Sequence, residues 1–323
     1  MRKKHVIIIL VLIAVIGGIF LYTKLNNSQK HFQVTFFDIG QGDAALIQFN
    51  DGKKMLVDCG ADRKILAKLG RALPFYDRAI DYVLATHPDL DHYGGCVDVL
   101  KNYKVKEIII NGRKKENDPY WRVWDKAIKD EGAIVKILNS PQVWTIASSS
   151  LEFFSPDSSL DLDVAAADSN NYSIVFKLEN KGLSYLFTGD MEEPLEKVLA
   201  HKYCSSIAGV QNIEPLQQTQ SNTVAGDQNI EPLPQTRTNT VGAQYFVPSD
   251  VCPALQSDIL KVGHHGSDSS SGEDFLNLVN PKQAIISVGK NKYGHPSLRV
   301  MKKLERAGAE ILRTDEAGDI VRY

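Results

Sequence analysis

The sequence predicts an α/β protein, because runs typical of strands alternate with runs of helical spacing along most of its 323 residues. Two further observations sharpen that prediction. Residues 86–92 carry four imidazole or carboxylate side chains directly after an apolar run that is typical of a buried strand. The chain also opens with basic residues that precede a long apolar run. The sequence therefore predicts a globular α/β domain with a ligand-rich loop and a separate apolar leader.

Composition sets limits on function. Hydrophobic residues make up 43% of the chain and charged residues 24%, which is enough for one large domain with an anchor and an insertion. The formal net charge of -2 gives no general attraction to nucleic acid or to anionic lipid. Any such binding must use local patches, and composition alone names no substrate.

Residues 1–30 are predicted to form an N-terminal membrane anchor or signal segment. Basic residues precede an almost unbroken apolar run at 6–21, which with its flanks reaches the length needed to cross a hydrocarbon layer of ~30 Å. A buried core helix would show a polar face. No small-x-small cleavage site follows Leu21, which favours a retained anchor over a cleaved signal peptide. The basic start predicts a membrane-anchored chain with its domain outside the cytoplasm, and secretion is the alternative.

The predicted domain covers residues 31–323 and divides into two halves, each with strands followed by alternating helices and strands. The strands of the first half are predicted at 32–37, 44–49, 54–57, 82–85, 106–110 and 133–138, and its helices at 95–103 and 119–130. The strands of the second half are predicted at 151–154, 172–179, 183–187, 258–262, 284–288 and 310–313, and its helices at 273–279 and 297–307. This alternation places helices over the sheets.

Residues 205–243 are predicted to be a repetitive low-complexity insertion within the domain. A unit rich in Gln, Asn, Thr and Pro at 208–224 is repeated almost verbatim at 225–241. It has no lasting apolar rhythm and cannot bury a core of its own. A structured binding module is the alternative, although solenoids need about three or more units.

The four cysteines suggest one covalent link. Cys204 and Cys252 flank the insertion, and in an extracytoplasmic domain a disulfide between them would close that loop. Cys59 and Cys96 do not have metal-binding spacing, and we expect them to pack as small buried residues.

The segment THPDLDH at 86–92 is the centre of the predicted chemistry. Pro88 blocks continuation of the strand, so a tight loop can fold His87, Asp89, Asp91 and His92 around one point. A cation is the natural occupant of such a point. A solvated acidic turn would explain the aspartates but not a histidine near each end.

This segment resembles the HxHxDH signature of metallo-β-lactamase-fold hydrolases, with Asp89 in place of the second histidine. More narrowly, the chain resembles the metallo-hydrolase domain of ComEC-type DNA-uptake competence proteins. The motifs that carry the resemblance are DIGQGD at 38–43, VDCG at 57–60, THPDLDHYGG at 86–95, NNYS at 170–173, FTGD at 187–190, HHGS at 264–267, YGHP at 293–296 and RTD at 313–315. The resemblance implies an αβ/βα four-layer sandwich and metal-dependent hydrolysis.

The resemblance also implies a set of site residues. The expected metal ligands are His87, Asp89, Asp91, His92, Asp190 and His264, and Asp190 is expected to bridge two ions. His264 is preferred to His265 because adjacent residues on a strand point to opposite faces, and the choice between them stays open. The residues expected to orient these ligands or to face substrate are Asp38, Gln41, Asp43, Asn170 and His265. Asp91 and His295 are the expected catalytic residues, with His295 as the acid for a leaving oxygen; a plain turn is the alternative for the His295 loop.

The expected cofactor is a pair of divalent ions. Imidazole ligands would favour zinc, but in the expected ligand set carboxylate oxygens and Asn170 take the places of imidazoles. Manganese is therefore the first expectation and zinc the second. The resemblance implies phosphodiester cleavage of extracellular DNA, expected on single strands, by a metal-activated water. The chain lacks the many membrane helices of the competence proteins that it resembles, so it would work beside a separate DNA-uptake channel or degrade environmental DNA. The alternatives are hydrolysis of small phosphoesters or β-lactams, and a non-catalytic surface binding module.

Overall fold

A computed structural model describes residues 2–26, 31–158, 169–204 and 252–323. The repetitive insertion predicted at 205–243 lies outside the described residues. Within them, the chain forms fourteen strands and nine helices. The strands are β1 Gln33–Phe36, β2 Ala45–Gln48, β3 Lys54–Val57, β4 Ala79–Leu84, β5 Lys104–Ile110, β6 Ile134–Ile137, β7 Gln142–Ile146, β8 Ser149–Ser155, β9 Val175–Asn180, β10 Leu183–Phe187, β11 Ile259–Lys261, β12 Gln283–Ile286, β13 Glu310–Arg313 and β14 Ile320–Arg322. The helices are α1 Arg2–Asn26, α2 Lys64–Ala72, α3 Leu90–Tyr93, α4 Cys96–Asn102, α5 Pro119–Glu131, α6 Glu193–Cys204, α7 Glu273–Val279, α8 Leu298–Arg306 and α9 Thr314–Ala317.

The strands form two seven-stranded sheets with the same internal plan. The first has the order β14-β1-β2-β3-β4-β5-β6 and the second β13-β12-β11-β10-β9-β8-β7. In each sheet an antiparallel meander is followed by parallel strands, β3 to β6 in the first and β10 to β13 in the second. Parallel neighbours require crossover connections, and α2, α4, α5, α7 and α8 lie in those connections.

Three buried clusters show how the layers pack. Between the sheets, the ring of Phe36 stacks on that of Phe187 and the ring of Phe187 on that of Phe176, with centroids 5.6 and 4.7 Å apart. A second cluster joins the first sheet to its helices through residues such as Trp124. A third joins the other sheet to its helices through residues such as Leu304. The order is helix, sheet, sheet, helix, and the predicted four-layer sandwich is confirmed.

Helix α5 shows how local sequence sets these boundaries. The Asp118 carboxylate accepts a hydrogen bond from the backbone N–H of Tyr120 at 2.8 Å, and Pro119 occupies the first turn, where its missing N–H costs nothing. The helix ends at Gly132, which adopts a φ of 68° in the left-handed region. The predicted helix at 119–130 is confirmed.

Helix α1 includes the apolar run predicted to enter a membrane, and its side chains from Val6 to Ile13 are exposed. Among the described residues, however, no helix has the combined length and apolarity needed to span a bilayer. The structure therefore does not support the predicted transmembrane segment, which stays a prediction from the sequence.

Two disulfides are present. The link between Cys204 and Cys252 confirms the predicted pair. The expectation that Cys59 and Cys96 only pack as small residues is wrong, because they form the second disulfide. Gly95 explains their approach: a Cβ at this position would lie 2.2 Å from the Cys59 carbonyl oxygen, so only glycine lets α4 begin so close to the end of β3.

The sheet topology gathers the chemistry at one edge. The loops after the parallel strands β3, β4, β10, β11 and β12 all leave from carboxyl ends, and parallel strands bring such ends together. Open α/β sheets bind ligands outside these ends. The predicted ligand segments at 86–92, 187–190 and 264–267 follow three of these strands.

Candidate metal centre

The ligand loop leaves β4 as a short turn and re-enters a helix at once. Thr86 is fixed by Asp58, which accepts from its backbone N–H at 2.8 Å and from its hydroxyl at 2.9 Å. After Pro88, helix α3 begins and presents Asp91 and His92. The rings of His87 and His92 lie 4.1 Å apart between centroids, and both side chains are buried. The predicted tight loop is present.

Asp190 stands at the middle of the centre. The strand β10 delivers it through Gly189, where a Cβ would lie 2.9 Å from the side chain of Ser173. The Ser173 hydroxyl oxygen in turn accepts a hydrogen bond from the Asp190 backbone N–H at 3.0 Å. Oδ1 of Asp190 lies 3.2 Å from His92 Nε2, and Oδ2 lies 3.9 Å from His87 Nε2 and 3.6 Å from His265 Nε2. One carboxylate thus faces three imidazoles.

The two adjacent histidines occupy a turn rather than a strand. Residues Gly263–Gly266 form a single helical turn in which His264 and His265 have φ values of 45° and 54°. His265 points into the protein, with Nδ1 2.9 Å from the Ser287 carbonyl oxygen and Nε2 3.3 Å from Asp91 Oδ2. His264 stays partly exposed, with Nδ1 2.9 Å from Glu192 Oε1 and Nε2 4.0 Å from Asp190 Oδ2.

This geometry differs from the sequence expectation. The preference for His264 assumed a strand with opposite faces, whereas the turn sends His265 to the centre. Four overlapping groups of donor atoms, each with all atoms within 4.8 Å of one another, could hold a metal ion among the described residues. They are His87 with His92 and Asp190, Asp91 with His92 and His265, Asp43 with Asp190 and His265, and Asp43 with Asp58 and His92. His265 belongs to two groups and His264 to none.

Buried nitrogen and oxygen atoms that lack a hydrogen-bond partner show whether these residues fit a metal ion. The Nε2 atoms of His87, His92 and His265 and the Oδ1 atoms of Asp43 and Asp190 are buried, and none makes a hydrogen bond of accepted geometry within the described part of the chain. A buried polar atom without a partner costs about 1–3 kcal/mol. Five such atoms in one place, all of types that bind divalent ions, fit a metal centre.

Asp89 does not join the four groups, although it was expected as a ligand. Its Oδ1 accepts from Lys115 Nζ and from Ser169 Oγ, both at 2.6 Å, and lies 3.8 Å from His87 Nε2. The ammonium of Lys115 approaches from a loop 26 residues away, and it occupies the oxygen that the sequence assigned to a metal ion. Asp89 therefore flanks the centre as an ion-paired side chain.

The residues expected around the ligands divide into two sets. Asp43 is at the centre, with Oδ2 2.6 Å from Lys261 Nζ and Oδ1 3.3 Å from His265 Nδ1. Two residues earlier in the chain, Gln41 Oε1 is buried and has no hydrogen-bond partner among the described residues. Asp38 instead ties its own loop, accepting from Gly40 N–H at 3.3 Å and lying 3.8 Å from Lys68 Nζ. These contacts of Asp38 stabilise its own loop.

Asn170 and His295 both contact His264, which borders the centre. The Asn170 amide nitrogen is 3.4 Å from both Glu192 Oε1 and His264 Nδ1. The ring of His295 crosses that of His264 at 5.3 Å between centroids. His295 therefore contacts the cluster through His264.

Sequence reasoning missed several residues that hold the ligands. Asp58 Oδ2 lies 2.9 Å from His92 Nδ1, Glu192 holds His264, and Lys261 pairs with Asp43. Asp58 and Lys261 are polar residues at the ends of buried strands, and that pattern is a signal that could have found both. Carboxylate partners of ligand histidines fix the orientation of the ring.

The electrostatics favour the metal-binding form at His87 and Asp190, whereas the charge of Asp190 outweighs burial and raises the pKa of His92 and that of His265, the latter to about 10, so a metal ion would displace a proton from each of these two rings. Burial, followed by the charge of His92, lowers the pKa of His87 to about 4, so this imidazole is neutral at pH 7. Burial alone would raise the pKa of Asp190, but the charges of His92 and His265 outweigh it and hold that pKa well below its ordinary value. A neutral imidazole and an ionised carboxylate are the forms that bind metal ions.

Comparisons with known proteins agree with this geometry. The family model described as the Metallo-beta-lactamase superfamily matches residues 37–290. The chain is 28% identical over 320 residues to ComE operon protein 3 of Bacillus subtilis, covering 94% of this chain and 34% of that protein. It is 26% identical over 311 residues to Competence protein ComA of Neisseria gonorrhoeae, covering 95% of this chain and 34% of that protein.

The chain thus spans about a third of the length of these curated relatives. Among solved structures, CmlA, a diiron beta-hydroxylase from Streptomyces venezuelae, has a TM-score of 0.50 at 11% sequence identity, with 91% of this chain and 54% of that chain covered. This likeness supports the fold alone. The predicted resemblance to competence-protein domains is confirmed by the relatives. By the family match, the fold and the converging His and Asp donors, this chain belongs to the metallo-β-lactamase superfamily, whose fold implies a metal-dependent hydrolase.

Proposed function

We propose that the chain is a metal-dependent phosphodiesterase that cleaves DNA outside the cytoplasm. The observation that carries the hydrolase is the convergence of five unsatisfied buried donor atoms at the carboxyl ends of two sheets. DNA enters the proposal through the relatives, since one is named a competence protein. The two disulfides support an extracytoplasmic site, because disulfides persist in oxidising compartments.

Two overlapping groups would hold two divalent ions. His87, His92 and Asp190 form one group and would hold one ion. Asp91 and His265, which form a second group with His92, would hold the other, and Asp190, whose Oδ2 lies 3.6 Å from His265 Nε2, is proposed to be shared. Such ions supply Lewis acidity, which lowers the pKa of water and offsets charge on a phosphoryl oxygen. Asp89 would be a further donor if its ion pair with Lys115 opened.

The identity of the ions is a proposal as well. The expectation of manganese rested on Asp89 and Asn170 standing in place of imidazoles. The group of His87, His92 and Asp190 contains two imidazoles, which suit zinc, and one carboxylate, which suits manganese. We propose two divalent ions, with zinc and manganese to be compared directly.

The protein's own side chains orient and expose this centre. Asp58 fixes the ring of His92 and Ser287 fixes that of His265, so the Nε2 atoms of both point to Asp190. Asp91 keeps 35% of its side chain exposed, so its face of the cluster is open to a substrate. His295 contacts His264 at the border of the cluster and is proposed to donate a proton to the leaving oxygen.

Location and partners extend the proposal. The apolar N-terminal helix is proposed to anchor the chain at a membrane, with the domain outside. There it would degrade environmental DNA or act beside a separate DNA-uptake channel.

The test is cleavage of a labelled single-stranded oligonucleotide by the full chain, with EDTA and then with each ion restored. We expect cleavage that needs a divalent ion and falls at least 100-fold in Asp190→Asn, because that carboxylate faces three imidazoles. Asp81→Asn, a buried carboxylate near the start of β4, is the control and should keep activity.

The same preparation separates the alternatives. Turnover of small phosphoesters or β-lactams without cleavage of DNA would replace the proposed substrate and keep the hydrolase. An Asp91→Ala protein that retains every biological effect would instead support a non-catalytic binding module.

A further inference from the structure

Tyr293 is an exposed aromatic side chain next to the metal centre, and the proposed hydrolysis does not use it. Its side chain is 65% exposed, and its ring lies 5.7 Å from that of His295 at an interplanar angle of 31°. The His295 ring lies 5.3 Å from that of His264, which borders the cluster. Two ring contacts therefore connect an open aromatic face to the site.

The loop that carries Tyr293 is held in place from within. Asn291 donates its amide N–H groups to the carbonyl oxygens of Gly289 and His295, both at 2.8 Å. Its Oδ1 accepts from the backbone N–H groups of Tyr293 at 3.0 Å and of His295 at 3.1 Å. The Asn291 side chain makes all four of these hydrogen bonds, which fix the loop before any ligand binds. Preorganisation of this kind lowers the entropic cost of binding.

The loop is also fixed relative to the metal centre. The backbone N–H of Ser297 donates to the carbonyl oxygen of Gly266 at 2.9 Å, and Gly266 ends the turn that carries His264 and His265. A Cβ at Gly266 would lie 2.7 Å from that of Pro296, so the two segments are in close contact. The aromatic face thus has a set position with respect to the donor atoms.

Positive charge accompanies the exposed ring. Lys292 Nζ lies 5.7 Å from the centre of the Tyr293 ring, and Lys290 is exposed on the same loop. Neither lysine forms a salt bridge with another residue that the structure describes. An aromatic face that is open to stacking, next to an unpaired ammonium, is the combination that binds single-stranded nucleic acid.

We propose that Tyr293 is a stacking platform for the base adjacent to the cleaved phosphate, and that Lys292 pairs with a neighbouring phosphate. This inference rests on the proposed function and names its substrate class as single-stranded nucleic acid. Every base has a stacking face, so binding is tolerant of sequence. In a duplex the bases already stack on one another, so double-stranded DNA gains nothing from this residue.

Fluorescence anisotropy of labelled oligonucleotides that bind to the full chain tests the platform. The measurement is made in EDTA so that no strand is cut. Tyr293→Ala should weaken binding of a short thymidine oligonucleotide about 5- to 150-fold, the loss expected for one stacked base. Tyr293→Phe keeps the ring and should bind as the wild type does. Tyr76→Ala, which removes a side chain that is also 65% exposed but lies before β4, is the matched control.

An oligonucleotide of equal length without bases separates stacking from charge. Its affinity should not change in Tyr293→Ala and should fall in Lys292→Ala. Equal binding of the thymidine oligonucleotide by wild type and Tyr293→Ala would overturn the platform. The cleavage assay tests the proposed function separately from the stacking platform. A wild-type protein that binds through Tyr293 but cuts no strand would overturn the proposed nuclease activity and leave the platform in place.

Discussion

The carboxylate of Asp58 is expected to set the tautomer of His92, and replacing it with an amide tests that role. Asp58 is 1% exposed; its Oδ1 accepts from the Thr86 backbone N–H at 2.8 Å, and its Oδ2 lies 2.9 Å from His92 Nδ1. A carboxylate only accepts, so the imidazole hydrogen is held on Nδ1. The charges of Asp190 and Asp58 outweigh burial and raise the pKa of His92, so a metal ion would displace the hydrogen of Nε2, which is 3.2 Å from Asp190 Oδ1, and use its lone pair.

In Asp58→Asn, the Thr86 N–H still requires the amide oxygen, which places the amide nitrogen beside His92 Nδ1. The nitrogen donates to Nδ1, so the imidazole hydrogen moves to Nε2 and removes the lone pair that faces the cluster. Loss of such a supporting partner typically weakens metal affinity about 10- to 100-fold. This corresponds to about 1.4–2.7 kcal/mol.

Calorimetric titration of metal-free protein with zinc and with manganese measures this loss. Asp81→Asn is the matched control, because Asp81 is also a buried carboxylate and accepts from the Lys54 backbone at 2.9 Å and from Lys106 Nζ at 2.6 Å. It lies near the start of β4, away from the ligand loop, and should change stability but not metal affinity. A folded Asp58→Asn protein that binds both ions as tightly as the wild type would refute the tautomer argument.

Three further outcomes are expected. His265→Ala should lose one of the two ions by mass spectrometry of the native protein, whereas His264→Ala should keep both; the opposite result would return the ligand role to His264. Replacing Cys59 and Cys96 by alanine opens a link across 37 residues and should lower the free energy of unfolding by about 4 kcal/mol in urea. It should also weaken metal binding, because the Cys59 N–H donates to the His92 carbonyl at 2.7 Å, whereas loss of the other disulfide should only destabilise. Burial raises the pKa of Glu196 to about 7 from 4.5, so between these values the folded state binds a proton that the unfolded state has lost. The free energy of unfolding should therefore fall by about 3 kcal/mol from pH 4.5 to pH 7, compared with Glu196→Gln. Parallel pH profiles of the two proteins would contradict this.

The fold was largely predictable because its signals are local. The predicted strands at 54–57 and 183–187 and the helix at 273–279 match β3, β10 and α7, where apolar patterns and flanking glycines lie within a few residues. Strand β14 was not predicted, because its three residues carry no strand pattern of their own. It forms by pairing with β1, nearly the whole domain away in sequence.

The candidate site was predictable in residue type but only in part in geometry. The sequence indicated that His87, Asp91, His92 and Asp190 lie at strand ends, and the structure brings all four together. It could not show that a lysine from another loop pairs with Asp89.

The sequence by itself determined the order of most strands and helices and the types of the ligands, since these depend on neighbours along the chain. The tertiary structure decided which adjacent histidine turns inward, which cysteines join and which carboxylate holds each imidazole. Those choices depend on distances between groups that are far apart in sequence, and only packing of the two sheets sets such distances.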